Sequence, residues 1–182
     1  MGRMLDAITP EIATFIVQQQ VFFVATAPSG ADGRVNLSPK GLDTFTVIDD
    51  HTVAWVDLTG SGVETIAHLR DNGRITMMFC AFEGKPNIVR LYGHGSFVPA
   101  GDPAAASTMA RFPEHVGARA VISVAVEHVS TSCGYAVPFM TYAGERPTLD
   151  EWAARRGPDG IAQYQAEHNA TSIDGLPGLA AQ

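Results

Sequence analysis

Three segments of the sequence set polar side chains and glycines where they could hold an anion. The first is Asp57-Leu58-Thr59-Gly60-Ser61-Gly62-Val63-Glu64-Thr65. An apolar run ends there, a glycine-rich turn follows, and a helical pattern begins. Glycines let the backbone approach a ligand closely, and unpaired amides at a helix start attract anions, phosphate above all. Ser61 and Glu64 also have the spacing of a capping box, in which the serine hydroxyl takes the amide of Glu64 and the glutamate reaches back. The segment therefore reads either as an anion site or as a well-capped helix, and Glu64 adds negative charge where a phosphate would sit. The second segment is Arg34-Val35-Asn36-Leu37-Ser38-Pro39-Lys40-Gly41. It puts two cations, a hydroxyl and a constrained Pro-Lys-Gly turn at the end of a strand. Arg34 and Lys40 suit a phosphate, or a solvated hairpin end. The third is Arg90, on the polar face of an otherwise apolar strand, where a surface salt bridge is the alternative.

No side chain announces itself as a catalyst. The six histidines lack zinc-ligand spacing with one another or with a cysteine, so no metal is expected. His94 shares a strand face with Arg90 and Tyr92 and could donate a proton or serve structure. Gly60-Ser61-Gly62 lacks the glycine spacing of a nucleophile elbow. Cys80 lies in the apolar run 76–82 and is read as core. Cys133 and Tyr135 follow the last strand and could face a cleft or form a tight turn. Trp152 is read as pinning the last helix to the barrel.

The charge balance narrows the partners. Nineteen acids against twelve bases give a net charge of −7, and lysine occurs only at 40 and 85. Such a surface repels nucleic acid, and an anionic ligand must rely on a few placed cations and amides. No apolar run is long enough for a membrane span, and residues 1–6 lack the layout of a secretion signal. A cytoplasmic protein with reduced thiols is expected.

These groups must be positioned by a mainly β (α+β) fold. Thr9-Pro10-Glu11 opens a helix whose apolar face is Ile12, Phe15 and Ile16. Residues 21–27 and 34–38 read as a hairpin around the 28–33 turn, and 44–48 and 52–58 as a second pair. A helix over 63–72 closes at Gly73. Residues 75–82, 87–98 and 118–129 read as strands, with helices over 102–111 and 148–156 and a loosely helical tail from Gly157. Strands joined mostly by short turns predict an antiparallel barrel with peripheral helices, in one domain over 1–182 with a helical extension from about 145.

The order of these elements resembles the pyridoxamine 5′-phosphate oxidase-like, FMN-binding split-barrel family. The markers run from Val21 to Val129: Arg34…Ser38-Pro39-Lys40-Gly41, the strand Val53–Asp57 leading into Gly60-Ser61-Gly62, Leu69-Arg70-Asp71-Asn72-Gly73-Arg74, and Asn87-Ile88-Val89-Arg90-Leu91-Tyr92-Gly93. The resemblance implies an antiparallel split β-barrel, a homodimer, and FMN in clefts shared by two subunits. Deazaflavin and haem are the other cofactors of the family. It implies cofactor contacts from Arg34, Asn36, Ser38, Pro39, Lys40, Gly41, Asp57, Thr59, Gly60, Ser61, Gly62, Thr65 and Arg90. The implied activity is an FMN-dependent oxidoreductase acting on a small molecule, with NAD(P)H as an electron donor. The alternative is a non-catalytic flavin carrier. The chain departs from oxidases of pyridoxamine phosphate in two places. The helix-start turn has no Lys or Arg, and residues 172–182 contain no base, so that substrate is not expected.

Overall fold

The computed structural model describes residues 2–179. Eight antiparallel strands form one curled sheet: β1 (Arg3–Leu5), β2 (Phe22–Thr26), β3 (Asn36–Lys40), β4 (Phe45–Val47), β5 (Thr52–Leu58), β6 (Arg74–Cys80), β7 (Ile88–Pro99) and β8 (Ala118–Ser132). Their order is β3-β2-β6-β7-β8-β5-β4, with β1 added along the far end of β8. The helices are α1 (Pro10–Val17), α2 (Glu64–Asp71), α3 (Ala106–Met109) and α4 (Thr148–His168). The architecture is the mainly β split barrel with peripheral helices that the sequence predicts.

Alternation dictates the packing. Along β2, β6 and β7 every second side chain is buried: Phe22, Val24 and Thr26; Ile75, Met77 and Phe79; Val89 and Leu91. Phe22, Phe45 and Phe79 pack with ring centroids 5.1–5.6 Å apart, and Trp55 meets Phe22 edge-on at 6.1 Å. Such aromatic pairs add to the burial that holds the barrel closed. Helix α1 seals one end with Ile12 and Ile16, its start capped by the Thr9 hydroxyl. Helix α2 lies across the barrel mouth and buries Ile66 and His68 completely.

Several boundaries differ from the sequence reading, each for a local reason. Strand β3 runs on through Pro39 to Lys40, which proline permits because β3 is an edge strand with no ladder bond to lose on its outer side. The expected helix over 102–111 shrinks to a 3₁₀ turn (Pro103–Ala105) and the single turn of α3, capped by Asp102. Helix α4 continues to His168, past a break at Gly157, whose φ of 67° needs glycine. Pro158 then restarts the helix, where its fixed φ and missing N–H cost nothing.

The long β7–β8 ladder shifts register between Tyr92 and Gly93. At that bulge a Cβ on Gly93 would overlap the Ala125 carbonyl of β8. Gly93→Ala is expected to cost roughly 1–3 kcal/mol of stability, the usual range for overpacking. Gly60→Ala, where a Cβ meets nothing within 4 Å, should cost far less. Urea unfolding of the two variants checks the contrast.

Candidate functional site

Strands β3 and β5 both face the split of the barrel, and one carboxylate bridges it. Asp57, at the end of β5, is wholly buried. Its two oxygens accept from Lys40 Nζ at 2.8 Å and Arg119 Nε at 2.7 Å. Burial pushes the Asp57 carboxyl up, but the charges of Lys40 and Arg119 outweigh it and hold its pKa below the usual value. Arg119 lies opposite the bulge between Asp57 and Leu58, an irregularity that re-aims a side chain. Two cations on one carboxylate leave the cluster with one surplus positive charge.

The same arginine shapes the glycine turn. Arg119 Nη1 donates to the Gly62 carbonyl at 2.8 Å and to Asn169 Oδ1 at 2.9 Å, and Asn169 Nδ2 donates to the Gly60 carbonyl at 3.0 Å. Gln165 Nε2 donates to Thr59 Oγ1 at 2.8 Å. Both turn carbonyls therefore point inward. In a trans peptide the N–H opposes the C=O, so the amides of Ser61 and Val63 point the other way. Among the described residues, no acceptor meets the amides of Gly60 to Ile66. A row of unpaired N–H groups at a helix start has the donor chemistry of an anion site.

The capping box does not form. Helix α2 starts at Glu64 with Val63 as its cap and no side-chain bond to the first turn. Glu64 accepts instead from the Ile173 amide at 3.2 Å, because the tail after α4 lies over the helix start. Asp174 from that tail pairs with the Arg34 guanidinium and accepts from the Arg34 amide at 2.7 Å. Beneath the turn, Asn36 donates to Thr65 Oγ1 at 3.1 Å and Thr26 Oγ1 at 3.4 Å, and Thr26 Oγ1 lies 2.9 Å from His68 Nδ1. Burial lowers the His68 pKa, which keeps this ring neutral.

The structure gathers most of the expected residues around the split and separates two of them. Asn36, Ser38 and Lys40 share the inner face of β3, beside Asp57, Thr59, Gly60, Ser61, Gly62 and Thr65. Gly41 packs under the Gln20 carbonyl, and Pro39 faces outward. Arg34 and Lys40 are each paired with a different acid, Arg34 with Asp174 and Lys40 with Asp57. Arg90 lies on the outer face of β7, its guanidinium 3.3 Å from Ser132 Oγ, and does not join the cluster. His94 pairs with exposed Glu127, and Cys133 is exposed. Trp152 packs edge-on against Tyr164 within α4. Arg119, Asn169, Gln165 and Asp174 carry the site and were not in the expected set.

The fold and this turn place the chain among known proteins. Residues 8–133 match the family profile described as Pyridoxamine 5′-phosphate oxidase. The chain belongs to that family. Its match to the pyridoxamine 5′-phosphate oxidase family protein ustO of Aspergillus flavus is 40% identical, covering 96% of this chain and 76% of ustO. Among solved structures, HupZ of Group A Streptococcus is similar at 27% identity, over 67% of this chain and 91% of HupZ, with a TM-score of 0.51. A pyridoxamine 5′-phosphate oxidase-type protein from Lactobacillus delbrueckii is similar at 18% identity, over 69% and 94% of the two chains, with a TM-score of 0.53. A FAD-binding protein from Mesorhizobium loti gives 15%, 72%, 96% and 0.50 for the same measures. The family match stops at residue 133, so Gln165, Asn169 and Asp174 come from beyond it.

The ion cluster sets an acid limit on stability. A carboxylate whose folded pKa lies below its unfolded value stabilises above the unfolded pKa, about 4, and that stability disappears as pH falls through the folded value. Stability should therefore fall below about pH 4. Asp57→Asn should remove this part of the acid dependence and cost about 3–5 kcal/mol at neutral pH, since it strands two cations. Urea midpoints measured across pH 3–7 check both effects.

Proposed function

We propose that the protein is an FMN-dependent oxidoreductase that works on a small molecule as a homodimer. The observation that carries this reading is the Gly60–Gly62 turn, with its carbonyls tied inward by Arg119 and Asn169 and its amides free. FMN fits the residues present. A phosphate suits the free amides and Arg34, and the far end of a long ligand reaches the part-exposed Lys40. The Mesorhizobium loti neighbour is described as FAD-binding, but no dinucleotide fingerprint occurs here, which favours the mononucleotide.

When bound, the flavin supplies the hydride and electron chemistry itself. The chain's residues bind and orient it. The turn amides and Arg34 hold the phosphate end, with Asp174 as the group that phosphate must compete with for Arg34. Lys40, paired with Asp57, would set a cation beside the other end. The outer sheet face supports the dimer. Pro39, Phe23, Met78, Arg90, Ser130 and Met4 form one row across it by register, and Met4 and Leu37 are each 64% exposed. A broad apolar face of this kind asks for a covering surface. Arg90 stands in the middle of that row, so a second copy is what would bring it to a cofactor.

Purified protein titrated with FMN should show saturable binding at micromolar concentration, tighter than FAD. Absence of FMN binding would overturn the reading. Arg34→Ala should weaken FMN by roughly 1.5–3 kcal/mol, the range for a charge-assisted bond, and Asp174→Asn should strengthen it. Light scattering should give twice the chain mass. Rapid bleaching of the loaded protein by NADH or NADPH supports an oxidoreductase, and resistance to both supports a carrier.

Pyridoxamine phosphate should be a poor substrate. Its phosphate needs a second anion site, and Arg119 is buried on Asp57 and Asn169 rather than available for that task. The tail that covers the turn carries Asp174 and no base. Aldehyde formation from pyridoxamine phosphate under air, with FMN-loaded protein, should stay far below about one turnover per second, the low end of ordinary enzyme rates.

A further inference from the structure

A cleft of about 850 Å³ opens between the α1–β2 connection, the β6–β7 turn and the strap 140–143. At Gln20 and Val21 it joins a second compartment of about 560 Å³, which reaches Lys40, Arg146, Trp152 and Arg155. The strap is fixed by two of its amides: Met140 N donates to the Phe82 carbonyl at 3.0 Å, and Tyr142 N to the Glu83 side-chain Oε1 at 3.2 Å. It also leaves Phe139 84% and Met140 57% exposed. The strap follows the segment that the family profile matches, which ends at residue 133.

The two compartments differ in chemistry. The larger presents Phe23, Phe82, Met140 and Tyr142 with glutamine amides, and its one charged group, Glu83, already accepts from the strap. A flat apolar body suits it. The smaller adds cations. Lys40 is held by Asp57, and Arg155 lies 3.8 Å from Glu151. Arg146 has no acidic partner among the described residues. Glu145 lines the same compartment and accepts from the Tyr142 hydroxyl at 2.9 Å. One free cation beside a carboxylate suits a single negative charge and disfavours a phosphate dianion.

We propose that this joined cleft binds the substrate, and that the substrate is a flat aromatic or conjugated carboxylate rather than a phosphate ester. The proposal rests on the flavin reading only for calling the ligand a substrate; Phe23 and Pro39 line the cleft and also stand in the row proposed for the dimer, so in the dimer the second copy would border the cleft. Lys40 links the two readings, since it lines the compartment and marks the proposed ring end of the cofactor.

The test uses the full chain labelled with ¹³C at the methionine methyls, with and without FMN. The probes are 2-naphthoate, 2-naphthol and 2-naphthyl phosphate, and the Met140 signal is assigned with Met140→Leu. The naphthoate should shift Met140 saturably and bind about tenfold more tightly than the phosphate. Arg146→Glu should weaken naphthoate by about tenfold and leave naphthol unchanged, with the buried Met77 signal reporting that the fold is intact. The proposal falls if Met140 ignores all three probes, if the phosphate binds as well as the naphthoate, or if Arg146→Glu leaves naphthoate unaffected. Naphthoate binding in a protein that ignores FMN sinks the flavin reading alone. FMN binding with no probe binding sinks this one alone.

Discussion

A buried carboxylate with two cations on it is the interaction that organises the functional end of this protein. Asp57 closes the gap between the edge strand β3 and strand β5, which no ladder of backbone bonds spans. A desolvated carboxylate is costly, so both partners must stay in place, and each then imposes its own geometry. Lys40 is pulled to the inner face of the edge strand. Arg119 is pulled across the bulge, which leaves its other nitrogens facing the Gly60–Gly62 turn. The turn's polarity is thus a consequence of the ion cluster, and the free amides follow from the direction in which its carbonyls are drawn.

Asn169 completes that arrangement from the far end of the chain. It accepts from Arg119 and donates to Gly60, so the tail after α4 helps to build the turn as well as covering it. The covering is acidic: Asp174 sits on Arg34, and Glu64 turns toward the Ile173 amide. An anion arriving at this turn meets donors fixed in advance, which lowers the ordering cost, and a carboxylate that must move, which raises the selectivity for a strong anion. Phosphate meets that requirement better than a monoanion does. The same logic separates the two ligands of the proposed enzyme, since the open cleft on the Lys40 side offers a free cation only at Arg146.

The strand pattern was legible because alternation and turn residues leave a local signature. Val53 to Val56, Ile75 to Phe79 and Val89 to Leu91 carry it plainly, and so does the Thr9-Pro10 start of α1. The site was legible only in part. The glycine turn and Lys40 could be read, since glycine and a rare lysine stand out. Their partners could not, because Arg119 lies 57 residues from Gly62, Asn169 lies 109 from Gly60 and Asp174 lies 140 from Arg34, and all three arrive through tertiary folding. One signal did point to the ion pair: Asp57 is the lone charge in β5 and Arg119 is the lone base beside the apolar run 120–126 of β8, and such charges are almost never buried unless paired. The failed capping box has the same origin, for local spacing favours Ser61 with Glu64 until a remote segment supplies Glu64 with a better donor.

The charge inventory of the chain then limits what chemistry the fold can host. Ten arginines and two lysines serve a surface with nineteen acids, and the structure ties the best-placed of them to acids. Lys40 and Arg119 hold Asp57, Arg34 holds Asp174, and Arg90 stands on the opposite sheet face. The turn still suits a dianion, because backbone amides carry no counter-charge and are oriented by the buried cluster. The cleft lined by Lys40, Arg146 and Arg155 suits one less, because Asp57, Glu145 and Glu151 offset its cations. The preference proposed for a less charged substrate therefore rests on where the buried carboxylate has drawn its partners, before any contact with the substrate is considered.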